Sequence, residues 1–195
     1  MIVNRMAVRQ YAAALILTLS LSAPVWAQNR IHIENFGRIS DTYYRGAQPD
    51  ERGFADLAKL GVKTVIDLTA NGRDDEPGMV RQAGMKFYRI PMTTSDRPSG
   101  NAVTQFLKLV NDPANQPVFV HCQGGRHRTG VMTAAYRMTH DNWTANRAYS
   151  EMRQYRFEGF PGHPVLKSFV FDYYEGLPQP KLAEKERVNE GGASK

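Results

Sequence analysis

Residues 116–122, QPVFVHC, form an apolar β-branched run that passes directly into Gln123-Gly124-Gly125 and then into the helix-forming stretch TGVMTAAYRMTH. A strand that ends on glycines and restarts at once as a helix constrains everything around it. So apolar a strand needs cover on both faces, and helices are the usual cover. The remaining segments repeat the alternation. RIHIEN and YYRGAQ read as short strands, and PDERGFADLAKLG as a helix capped by Asp50, with Phe54, Leu57 and Leu60 on one face and Gly61 ending it. VKTVIDL (62–68) is a β-branched strand, and the polar loop TANGRDDEPG (69–78) follows it. MVRQAG belongs to a short helix, MKFYRIPM is the next strand, and TTSDRPSG is a turn-rich loop. NAVTQFLKLVND turns Val103, Phe106, Leu107 and Val110 inward, while WTANRAYSEMRQY and HPVLKSFVFDYYEG close the series as helices. The expected fold is α/β, a central, mostly parallel sheet with helices on both faces. Such sheets bind ligands at the carboxyl ends of their strands, where Cys122 and the 69–78 and 93–100 loops fall.

The 195 residues suit one domain, and 42% hydrophobic with 23% charged residues is ordinary for a globular chain. The net charge of +6 comes without a basic tract. Without Arg5 and Arg9 of the first 27 residues it falls to 23 basic against 19 acidic side chains, a net +4; that mild surplus suits an anionic ligand and is too diffuse to argue for nucleic acid, so no nucleic-acid partner is expected. Residues 1–27 read as a targeting segment: Arg5 and Arg9, the short apolar run AAALILTLSLSA, then VWA before Gln28 as a cleavage site. The apolar run is too short for a comfortable membrane span. The expectation is export with cleavage (to the periplasm, in a bacterium), a monomeric domain over 28–177, and a disordered tail over 178–195. The single cysteine excludes an intramolecular disulfide. An isolated thiol in an oxidising compartment is a liability unless it is inert or used.

Its neighbours argue for use. In HCQGGRHRTG (121–130), Gly124 and Gly125 let successive backbone N–H groups face one concavity, and the following helix adds its free N–H groups and partial positive charge. Together with Gln123, Arg126 and His127 they outline a phosphate-sized anion cradle. Arg128 can close it with a two-pronged grip on two oxygens. Cys122 sits at the bottom, where the same donors favour a nucleophilic thiolate, and Thr129 can offer its hydroxyl to the sulfur.

HCQGGRHRTG resembles the signature loop of the cysteine-dependent protein tyrosine phosphatases, in their compact dual-specificity form. YYRGAQP, GVKTVIDL, TTSDRPS and WTANRAYSEMRQYRF are similar to stretches of small exported bacterial phosphatases and of atypical plant and fungal dual-specificity enzymes. The likeness covers roughly residues 35 to 175. It implies Cys122 as nucleophile, Arg128 as phosphate ligand, and Thr129 as an aid to breakdown of the phosphoenzyme. It implies that His121, just before the nucleophile, supports the loop by bonding its backbone. The family draws its general acid from the loop before the helix that precedes the catalytic strand, which points to Asp96. Asp74, Asp75 and Glu76 are the rivals, although acidic loops are more often simply solvated. Arg126 either reads a second anionic group or is solvated, and Arg73 is a weaker candidate of the same kind. No second His or Cys stands at ligand spacing, so no metal and no cofactor are expected. The implied activity is a phosphomonoesterase acting on phosphotyrosine in a protein, with phosphoserine and phosphothreonine open to a shallow pocket. An inositol polyphosphate or phosphoinositide phosphatase is the alternative. A silent phosphoprotein-binding module is a third reading, opposed by the intact Cys, Arg and Thr. Sulfur or arsenate chemistry would call for a second thiol.

Overall fold

The computed structural model describes residues 31–158 and 162–178. Along it run β1 (Gly37–Ser40), β2 (Tyr43–Ala47), α1 (Glu51–Lys59), β3 (Thr64–Thr69), α2 (Glu76–Gln82), β4 (Lys86–Met92), α3 (Gly100–Asn111), β5 (Val118–Cys122), α4 (His127–His140), α5 (Ala145–Gln154) and α6 (Pro164–Gly176). The strands form one sheet in the order β1-β2-β5-β3-β4, with β1 antiparallel to β2 and the other pairs parallel. The expected α/β architecture is therefore the observed one.

Two apolar layers sandwich the sheet. On one face Phe54 and Leu57 of α1 and Val80 of α2 pack with Val65 and Phe119. On the other, α3 to α6 pack with Ile66, Val118, Val120 and Cys122 around Phe106, Met132, Ala148 and Leu166. The central strands β3 and β5 are buried along their whole length, as a strand covered on both faces must be. Asp50 caps α1 by accepting from the Gly53 N–H at 2.8 Å, an arrangement worth about 1 kcal/mol. The targeting segment and the tail beyond Pro178 lie outside the described residues. Among the described residues no helix is long and apolar enough to cross a membrane.

Three local expectations are corrected. RIHIEN does not form a strand: residues 31–36 run as irregular chain and turn, and Ile33 is buried against the α1 layer while β1 begins at Gly37. The loop 69–78 is shorter than expected, because α2 starts at Glu76 with Pro77 in its first turn, a place proline favours. Leu60 caps α1 instead of packing under it, and is 37% exposed.

The layer under α1 thus depends on Leu57, which is fully buried. Leu57→Ala is expected to cost about 2–5 kcal/mol in urea unfolding, and Leu60→Ala to stay within about 0.5 kcal/mol. Equal losses would contradict this packing.

Candidate active site

Parallel pairing sets Ala47 of β2 beside Cys122 of β5, and Arg45 beside Val120. Beyond Cys122 the chain turns through Gln123–Arg126 and enters α4 at His127. Cys122 is 2% exposed and is the free thiol at the floor of this turn. Gly125 takes φ +62°, and a Cβ there would run into the backbone of Gly46 and Ala47. Only glycine lets the turn lie this close to β2.

The turn is held by its carbonyls. Gln48 N–H donates to the Gln123 carbonyl at 3.1 Å. Asn35 Nδ2 donates to the Gly125 carbonyl at 2.9 Å, more distantly to Gly124 at 3.4 Å, and to Tyr155 at 3.1 Å. Arg45 Nη2 donates to the Gly125 carbonyl at 2.6 Å. Asn35 reaches them from a left-handed φ of 54°, which asparagine tolerates better than most residues. Three successive carbonyls are thus engaged by groups outside the turn. The first amides of α4 have no carbonyl a turn earlier to accept them. The arrangement can receive an anion at the helix N-terminus.

Arg128 and Thr129 are buried in the first turn of α4. Arg128 Nη1 donates to the Met92 carbonyl at 3.3 Å, which fixes the guanidinium against the end of β4. Its Nε and the Thr129 hydroxyl are buried without a hydrogen-bond partner among the described residues. An oxyanion above Cys122 would satisfy the former. Gln123 is exposed and Gly124 half-buried. Arg126 leans towards Glu34 at 3.7 Å, and His127 packs on His163 and Phe157.

Strand alternation separates His121 from this cradle. Cys122 points to the α3–α6 face, so His121 points to the other and stacks on Phe119. The expected bond to the loop backbone is not what the ring makes. Its Nε2 lies 2.8 Å from Glu76 Oε1, and its Nδ1 lies 4.0 Å from Asp67 Oδ1. The Glu76 contact falls short of hydrogen-bond geometry, so it is a close pairing without a well-aligned bond. Glu76 is therefore no member of a solvated acidic loop; it is fully buried at the start of α2. Asp67 holds the Thr69 N–H and hydroxyl at 2.8 and 2.7 Å and accepts from Arg89 Nε at 2.7 Å. Ligand atoms of Asp67, Glu76 and His121 come within 4.8 Å of one another, a grouping that sequence spacing did not reveal. Arg89, also 3.6 Å from Glu76, already supplies this cluster with a cation.

Asp96 lies in the exposed loop just past Met92, where its carboxylate accepts from the Thr93 hydroxyl at 2.7 Å. The neighbouring Arg97 ties that loop to α6 through Asp172 at 2.7 Å. Among the rivals, Asp75 is bound to Arg73 by two hydrogen bonds of 2.9 and 2.6 Å, which also occupies Arg73, and Asp74 is exposed. A polar cavity of about 220 Å³ adjoins Gln123, lined by Gln48, Thr69, Asn71, Gly72 and Arg73.

The family described as "DSP-PTPase phosphatase fused to NAD+ Kinase" matches residues 25–163. "Inositol diphosphatase SIW14" of Saccharomyces cerevisiae is 30% identical over 78% of this chain and 55% of its own length. "Dual specificity protein phosphatase TpbA" of Pseudomonas aeruginosa is 33% identical over 70% of this chain and 61% of its own length. The chain thus spans less than two thirds of either relative. The solved structure of a TpbA variant in complex with phosphotyrosine is similar at a TM-score of 0.61 and 26% identity, covering 82% of this chain and 91% of that one.

Burial, and then the neighbouring His163, lower the His127 imidazole from its ordinary 6.5 to about 4. The unfolded chain therefore binds the proton first, and stability falls as pH drops from about 6.5 through about 4. His127→Gln should remove this component. Urea midpoints at about pH 7 and about pH 4.5 are expected to fall further for the wild type than for the variant. Parallel losses would contradict the burial of this ring.

Proposed function

This chain belongs to the dual-specificity branch of the cysteine-dependent protein tyrosine phosphatases, and we propose that it hydrolyses phosphate monoesters through a cysteinyl-phosphate. The reading rests on one observation. The carbonyls of Gln123 and Gly125, and more distantly that of Gly124, are engaged from outside the turn that carries the buried thiol, and Arg128 Nε has no partner among the described residues. That is a cradle for a tetrahedral oxyanion with a nucleophile at its floor.

In the first step Cys122 Sγ attacks phosphorus in line, and the bond from phosphorus to the ester oxygen breaks. The turn amides and Arg128 hold the non-bridging oxygens. Asp96, carried by its exposed loop, gives its proton to the departing oxygen. In the second step water attacks phosphorus and passes a proton to Asp96, and the S–P bond breaks, freeing phosphate and the thiolate. The Thr129 hydroxyl, buried in the first turn of α4 without a partner among the described residues, supports the sulfur as leaving group. His121 acts at a remove, fixing the end of β5 through its pairing with Glu76.

The substrate we infer first is a phosphotyrosyl protein, supported by the likeness to TpbA and its phosphotyrosine complex. A second reading is an inositol phosphate, favoured by the polar cavity beside Gln123 and the likeness to SIW14. Export is inferred from the charged and apolar residues 1–27 alone.

The purified chain is expected to release phosphate from an aryl phosphate in EDTA and to lose that activity as Cys122→Ser. Asp96→Asn should lower kcat by about 10²- to 10⁴-fold for a poor leaving group and less for a nitrophenyl ester. Full activity of Cys122→Ser would overturn the mechanism. Equal losses in kcat/KM on both esters, which report the first step alone, would remove Asp96 from the acid's role. Parallel assays of phosphotyrosyl peptide and inositol phosphates decide between the two substrate readings.

A further inference from the structure

Arg45 is a cation in an uncommon place. It is fully buried in β2, with 0% of its surface exposed. Parity along the strand puts it on the same side as Ala47, the lateral neighbour of Cys122. Among the described residues its one side-chain hydrogen bond goes to the Gly125 carbonyl, and its guanidinium lies over the Tyr155 ring at 4.0 Å. Nε and Nη1 are buried with no hydrogen-bond partner among the described residues.

A buried guanidinium normally has a carboxylate beside it, because stranding the charge costs several kcal/mol. Arginine does not escape by losing its proton. The groups that act on it through space are Tyr43, Tyr155, Glu151 and Cys122. Two are phenols, of which Tyr43 is bonded to Thr133 at 2.8 Å. Glu151 is held by Arg137 at 2.6 Å. Burial accordingly pushes the Arg45 guanidinium below its ordinary value. What remains to balance the charge is the Cys122 sulfur and whatever anion occupies the turn above it.

We propose that Arg45 is a positioning residue that serves the oxyanion site from below. Its hydrogen bond draws the Gly125 carbonyl out of the cradle, and its unbalanced charge is compensated when a tetrahedral oxyanion binds above Cys122. Asn35 shares the first task without charge; the second falls to Arg45. Folding and anion binding are thereby coupled: the chain carries a buried charge that the ligand relieves. The inference rests on the turn being an oxyanion cradle.

The test is thermal unfolding of the whole chain with and without inorganic phosphate, for the wild type, Arg45→Gln and Arg45→Lys. Glutamine keeps a donor for Gly125 and loses the charge; lysine keeps the charge. Phosphate is expected to raise the Tm of the wild type. Arg45→Gln should bind phosphate about tenfold or more weakly, so its Tm gap below the wild type widens when phosphate is added. Arg45→Lys should keep phosphate affinity within about threefold of the wild type. A gap of the same size with and without phosphate would make Arg45 purely structural and overturn the proposal. If Arg45→Gln does not fold, Arg45→Lys decides: a retained phosphate response supports the proposal, and a lost one overturns it. A wild type that gains nothing from phosphate would overturn the cradle as well.

Discussion

The parallel pairing of β2 with β5 sets the geometry on which the site depends. It fixes Ala47 beside Cys122 and leaves Gly125 so close to Gly46 that no side chain fits between them. With the turn pressed against β2, its carbonyls lie within reach of Asn35, Arg45 and Gln48. Peptide geometry does the rest. An engaged carbonyl turns its peptide plane, and the N–H groups face the other way. A cradle of backbone donors follows from a packing constraint, without a basic patch at the surface.

Strand alternation then divides the chemistry between two faces. Cys122 faces the α3–α6 layer with Arg128 and Thr129, while His121 faces the α1–α2 layer with Glu76, Asp67 and Arg89. One face holds the nucleophile and two buried arginines. The other holds two buried carboxylates with a half-buried arginine and a histidine. Both arrangements meet at the end of β5, so the position of the thiol depends on each. Removing one member of such a buried set leaves its partner's charge uncompensated, which is costlier than losing the contact alone.

The turn itself was legible in the sequence because its parts are contiguous: strand, glycines, arginine and helix within ten residues. The layers were legible because apolar periodicity reports burial. Arg45, Asn35, Asp67 and Arg89 were not, since each reaches the site from a strand or loop distant in sequence, and an isolated Arg or Asn carries no local pattern. The one cue was Arg45 inside an otherwise uncharged short strand, YYRGA, where a charge has no solvated face to occupy. Glu76 was misread for the opposite reason: its two acidic neighbours are exposed, and composition cannot show that the next residue turns inward at a helix start. GRIS is too short, and its pairing with β2 too irregular, for its alternation to stand out.

What distinguishes this account from any other use of the turn is a covalent bond between Cys122 and phosphorus. Asp96→Asn slows the second step by removing the base, so a nitrophenyl ester should load this variant faster than water unloads it. Mass spectrometry of the acid-quenched, digested protein is expected to find one phosphoryl group on the peptide carrying Cys122, appearing within the first turnover. A phosphoryl group on another residue, or turnover with Cys122 unmodified at every time point, would contradict the account.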